Sequence, residues 1–167
     1  MSITSVLNFK NDTTTKLIDA RGPRFGAIIT TAVLTSYLAT EFLPILLIQL
    51  VVFGLGAFVG PHASPYGFFY SKVIKPRLKG DVPTEDVRPP QFAQLVGFTF
   101  ALLGAIAEIA GFAGAGAIII GFALAAAFLN AAFNFCLGCE MYLLIARLRY
   151  ALSRRKNYED SYNLPSL

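Results

Sequence analysis

Four apolar blocks constrain this chain more than any other feature. They run over about 25–39, 42–60, 92–111 and 117–136. A soluble domain of 167 residues cannot turn four such blocks inward together, so the expected solvent for their outer faces is lipid. A hydrophobic fraction of 55% and a mean hydropathy of +0.59 agree with that. Only Thr40 and Glu41 separate the first two blocks, and the glycine-rich stretch 111–116 separates the last two. Connections this short join antiparallel neighbours. The expected fold is an all-α membrane protein, with four transmembrane helices arranged as two antiparallel hairpins and interfacial segments on the cytoplasmic side. Residues 21–150 form its single domain, between a polar leader (1–20) and a cytoplasmic tail (151–167).

Charge orients the spans. All fourteen Lys and Arg residues lie before the first block, in the 61–90 loop or after residue 141, and neither short turn holds one. Basic residues accumulate on the cytoplasmic side of a membrane. Both termini and the central loop are therefore expected in the cytoplasm, with the protein in the plasma membrane. The same bias accounts for the net charge of +4 without nucleic acid as a partner. Residues 1–24 carry Lys10, Asp12, Lys16, Asp19, Arg21 and Arg24 and lack the apolar core of a secretory signal.

Small and polar residues inside the blocks mark helix contacts. Thr30, Thr31, Thr35 and Ser36 are available to face other helices, and Gln49 is expected to bond a neighbouring helix. Gly56 with Gly60, and Ala117 with Gly121 and Ala125, have the four-residue spacing of close packing faces. Glu108 reads as an interfacial residue reaching outward. Residues 142–149 read as an interfacial helix, and 153–167 as a tail without regular structure.

Two stretches share a pattern. Asp19-Ala20-Arg21-Gly22-Pro23-Arg24-Phe25-Gly26 and Asp86-Val87-Arg88-Pro89-Pro90-Gln91-Phe92-Ala93 align at an offset of 67, each just before a span that leaves the cytoplasm. This favours a tandem repeat of hairpins about an axis along the membrane normal. It also relates the 61–67 segment to 136–140, which would bring His62 near the cysteines.

Cys136-x-x-Cys139 is the sharpest chemical motif. Such a pair either cycles between dithiol and disulfide, holds a soft metal ion, or packs as two small polarizable side chains. Depth counting from Ala117 puts Cys136 at the membrane boundary and Cys139 nearer water. Cys139 is then the attacking thiolate and Cys136 the resolving one, with a dithiol resting state in a reducing cytosol. Glu140 is placed to accept a proton or to pair with Arg147. If a metal is held, Cys136, Cys139 and His62 are its ligand candidates. Asn130 and Asn134 share a helix face, for interhelical bonding or to line a polar cavity above the cysteines. No nucleotide loop, Ser-His-Asp arrangement or four-ligand zinc pattern occurs, and no cofactor is expected.

Several of these stretches in order carry a resemblance. They are residues 19–25, Ser64-Pro65-Tyr66-Gly67, Lys75-Pro76-Arg77-Leu78, 85–94 and 135–140. Over about 17–148 the chain resembles the domain-of-unknown-function family 4395, small bacterial integral membrane proteins familiar chiefly from actinobacteria. It departs from the family's usual Pro at Ala20 and usual Arg at Gln91. The resemblance implies a four-span membrane domain and no activity. Three functions stay open. One is a membrane thiol or sulfur-handling protein that exchanges with a soluble thiol carrier (thioredoxin-like or a sulfurtransferase). Another is a scaffold subunit of a membrane complex. The last is a small transporter, which would need a homo-oligomer.

Overall fold

A computed structural model describes residues 17–78 and 83–162. It is helical except for one short ladder. Strand β1 (Leu17–Asp19) leads into α1 (Arg21–Thr40), and α2 (Leu43–Gly54) returns, extended by a π-turn over Leu55–Val59. A short α3 (Pro65–Phe69) continues through irregular helical turns to Arg77, and β2 (Thr84–Asp86) follows. Then come α4 (Arg88–Ile109), α5 (Ala113–Phe133) and α6 (Leu137–Tyr162). Of the expected leader, 1–16 lie outside the described residues, as do 163–167 of the tail.

Helix boundaries follow local chemistry. The Arg21 N–H donates to Asp19 Oδ1 and the Arg88 N–H to Asp86 Oδ1, both at 3.0 Å, so each aspartate satisfies an otherwise open N–H at a helix start. α1 stops where Glu41 turns left-handed (φ 51°) and its N–H closes on the Tyr37 carbonyl. Gly60 (φ 124°) ends the π-turn, and Gly111 (φ 86°) makes the second hairpin turn.

The helices are fewer in lipid-spanning length than the four blocks imply. Among the described residues two helices are long and apolar enough to cross a membrane: α4 with mean hydropathy 1.8 and α5 with 2.1. At about 1.5 Å per residue each exceeds the roughly 30 Å of a hydrocarbon core. The apolar Leu43–Val59 stretch is shorter. A small core of Leu34, Tyr37, Leu46, Phe53, Ala101, Ala105 and Ile120 joins α1, α2, α4 and α5. Outside it lie exposed Ile48, Val51, Leu103, Ile106, Ile109, Ile118 and Phe122. Only 17% and 11% of the apolar windows of α4 and α5 is buried, unlike the core helices of a soluble domain.

Several expectations need correction. β1 pairs antiparallel with β2, a ladder that the leader assignment of 1–20 did not foresee. The fourth helix stops at Phe133 rather than 136, because Asn134 turns left-handed (φ 56°). α6 continues to Tyr162, so the tail is helical well past residue 153. Of the four hydroxyl residues expected to face other helices, Thr30 is buried; Thr31 and Ser36 bond carbonyls of their own helix, and Thr35 is exposed. α5 buries Gly116 and Ile120, leaving Ala117 and Ala125 exposed. Gly56 does pack closely, against Gln94, whereas Gly60 serves the helix end.

Positions 67 apart make matching contacts. In β1–β2 the pairs are Leu17 with Asp86, Ile18 with Glu85 and Asp19 with Thr84. Arg24 Nε donates across to the Ala131 carbonyl at 3.2 Å, and Gln91 Nε2 to the Ala57 carbonyl at 2.8 Å. Phe25 packs on Tyr70 with ring centroids 5.8 Å apart, and Phe92 on Tyr142 at 5.7 Å. The ladder joins the starts of α1 and α4 at one end of the bundle. At the other end the Tyr37 hydroxyl donates to Glu108, which therefore turns inward rather than outward.

Candidate functional site

The two cysteines sit where the chain re-enters a helix. After Asn134 the backbone leaves the helix, and Cys136 stands immediately before α6. Its carbonyl accepts the Glu140 N–H at 3.0 Å, and its sulfur accepts the Cys139 N–H at 3.3 Å. The sulfur thus takes the place of a capping side chain. Cys136 and Cys139 form a disulfide, with Cα atoms 5.2 Å apart. The break that brings the sulfurs together lies before Cys136, not at Gly138. Gly138 instead opens a helix crossing. A Cβ there would lie 2.7 Å from the Ala93 Cα, so the missing side chain lets α6 cross close to α4.

Electrostatics at this helix start bear on the two sulfurs unequally. A helix N-terminus stabilises nearby negative charge. Cys136, at the cap with an N–H aimed at its sulfur, receives that stabilisation most directly. Depth counting gives the attacking role to Cys139, and the structure puts the Cys136 sulfur at the helix start.

Beside the disulfide lies a cavity of about 610 Å³ between α1, α4, α5 and α6. Cys136, Gly138 and Met141 border one end, and Val96, Phe100 and Phe122 lie along it, with Asn130, Gln94 and Thr30 as polar points. Asn130 thus shares a cavity with Cys136. Asn134 does not share its helix face, being the left-handed residue after the helix. His62 lines a second, smaller cavity of about 160 Å³ with Asp19, Tyr70 and Lys75, so it is not brought to the cysteines. Among the described residues no three His, Cys, Asp or Glu side chains are grouped to hold a metal. Glu140 is exposed in the first turn of α6 and is not paired with Arg147.

Buried polar chains brace the frame around the cavity. Gln49, fully buried, donates to Thr30 Oγ1 at 3.3 Å and accepts the Tyr66 hydroxyl at 2.8 Å, the expected link between helices. The Tyr70 hydroxyl donates to Asp19 Oδ2 at 3.0 Å. Burial, and then that carboxylate, push Tyr70 up to about 12. Burial also raises Tyr142, with Asp86 adding to the shift and Arg88 opposing it. From sequence Tyr70 reads only as part of an aromatic belt and Tyr142 only as the start of an interfacial helix. Their separation of 72 differs from the 67 of the shared motif, because the intervening connections differ in length.

Fold and site together define a helical two-hairpin protein with a CxxC disulfide at a helix start beside an apolar cavity. Residues 18–147 match the family described as "Domain of unknown function (DUF4395)", and the chain belongs to that family. No curated protein and no solved structure shows a significant match to it.

Proposed function

We propose that this is a multi-pass membrane protein of four spans, built from a duplicated hairpin, whose Cys136–Cys139 pair exchanges electrons with a soluble thiol carrier at the cytoplasmic face. The carrying observation is the disulfide at the start of α6, with the Cys136 sulfur accepting the Cys139 N–H. The outward apolar faces of α4 and α5 support the membrane setting. Matching contacts at 67-residue spacing support the duplication, and the distribution of basic residues supports cytoplasmic termini.

In the exchange, a carrier thiolate attacks one sulfur of the Cys136–Cys139 disulfide. A mixed disulfide forms and the other cysteine leaves as thiolate. The carrier's second thiolate then attacks the mixed disulfide, leaving carrier disulfide and protein dithiol. The reverse sequence starts with the Cys136 thiolate. Two electrons move, and one disulfide is exchanged for another.

The test is redox trapping in inverted membrane vesicles. A thioredoxin-type dithiol added outside should make both cysteines available to maleimide, and a carrier lacking its second cysteine should stay attached to the opened Cys136–Cys139 pair as a mixed disulfide. If neither cysteine changes state, the thiol reading falls. A scaffold role through the exposed Ala117 and Ala125 side of α5 then takes its place.

A further inference from the structure

We propose that the cavity beside Cys136 binds a lipid-soluble quinone, which takes the two electrons of the Cys136–Cys139 dithiol. This rests on the thiol/disulfide reading above and supplies its second redox partner.

The two halves differ at one position beside the cavity. Tyr70 and Tyr142 play the same part against Phe25 and Phe92, which sets a 72-residue correspondence between the segments around α3 and the start of α6. By that correspondence Tyr66 matches Gly138, and Ser64 matches Cys136. In the first half the Tyr66 side chain runs inward and bonds Gln49. In the second half there is no side chain to do so. The cavity beside Gly138 measures about 610 Å³, within the roughly 300–1,000 Å³ of pockets that hold ligands of drug size.

Its chemistry suits a quinone. From Pro90 to Phe100 the lining follows α4 for about 15 Å at 1.5 Å per residue, long enough for a ring and the start of an apolar tail. Phe53, Phe100 and Phe122 offer aromatic faces. The side-chain amides of Gln94 and Asn130 line it without a hydrogen-bond partner among the described residues, and either can donate to a ring carbonyl. Phe122 and Met141 are 65% and 47% exposed, so the cavity opens at the side of the bundle, where a lipid-borne molecule arrives. Cys136 borders the cavity and Cys139 does not. A soluble carrier meets the pair from water, and the quinone meets it from the membrane.

The step balances. The S–S bond of Cys136–Cys139 forms and two S–H bonds break. The quinone gains both electrons and both protons, its two carbonyls becoming hydroxyls.

The experiment uses the full chain in nanodiscs, reduced, freed of reductant and kept anaerobic, with a decyl-substituted benzoquinone as probe. One quinone should be reduced per protein as the disulfide closes. Ala127→Phe, which fills the cavity, should slow this by about tenfold or more. It should leave reduction of the disulfide by dithiothreitol unchanged. Asn130→Ala serves as a milder variant and should weaken the dependence on quinone concentration while it still inserts. If the wild type is reduced by dithiothreitol yet passes nothing to the quinone, or if Ala127→Phe and Asn130→Ala both react at the wild-type rate, this inference is overturned and the carrier reading stands. If dithiothreitol does not open the disulfide either, both readings fail together.

Discussion

Ile18 and Glu85 face each other at the centre of the β1–β2 ladder, and they occupy the same position of the 67-residue pattern. The flanking pairs, Leu17 with Asp86 and Asp19 with Thr84, exchange under the same offset, so the ladder maps onto itself by a half-turn. An antiparallel pair has that local symmetry in its hydrogen bonding. The starts of α1 and α4 are thereby tied to a common axis, and one position on it carries a carboxyl group.

That carboxyl gives a pH prediction. Burial, then the Asp19 charge, raise Glu85 above the ordinary range. The folded protein holds this proton more tightly than the unfolded chain does. The resulting stabilisation is present below the unfolded value and is lost as pH rises through the folded one. Glu85→Gln should therefore melt higher than wild type near pH 7, with the advantage shrinking toward about pH 4. Thermal scans in detergent at both pH values check this, and a constant difference would count against it.

Tyr70 gives the opposite end of the scale. Its proton is held to about 12, so the stability it contributes is lost as pH rises from about 10 toward that value. Tyr70→Phe should remove this loss. Near neutral pH it should cost about 1.5–3 kcal/mol, since a hydrogen bond to the Asp19 carboxylate goes with the hydroxyl. Denaturation midpoints and tyrosinate absorbance together separate the two effects.

Gly138→Ala tests the crossing of α6 over α4. The added carbon would meet the Ala93 Cα at 2.7 Å, so one helix must move. A cost of about 1–3 kcal/mol is expected, as in other overpacked sites. Gly121→Ala, with nothing within 4 Å of its added carbon, should be neutral in the same melting assay.

The hairpins were legible because hydropathy blocks, short turns and capping aspartates act over a few residues. Gln49 was legible for a related reason: a lone amide in an apolar helix has to find a partner. Long-range geometry was not. Nothing near Glu108 in sequence announces the Tyr37 hydroxyl, and only the bundle brings them together. The cysteine segment was misread where it was assumed to continue a helix. Asn134 tolerates the left-handed turn that ends α5, and this changes which sulfur caps the next helix. His62 was misplaced because the half-turn relation puts corresponding segments on opposite sides of the axis.

Orientation is open to a direct check. A reporter active only outside the cytoplasm should be silent when fused after Leu167 and active when inserted at Gly114. The reverse pattern would place the cysteines in an oxidising compartment and remove the cytoplasmic carrier from the proposal.

The roles of the two sulfurs can be separated with single cysteines. In Cys139→Ser the remaining Cys136 keeps its place before α6, where the helix N-terminus and the residue 139 N–H stabilise negative charge on sulfur. In Cys136→Ser the remaining Cys139 lies inside the first turn, its own N–H turned toward residue 136. Thiolates, not thiols, are alkylated, so Cys136 should react faster than Cys139 near pH 7, by about tenfold. A small neutral reagent such as iodoacetamide, applied to detergent-solubilised protein, keeps membrane access from setting the order. If Cys139 is the faster of the two, its nearness to water outweighs the helix start, and the attacking role belongs to it.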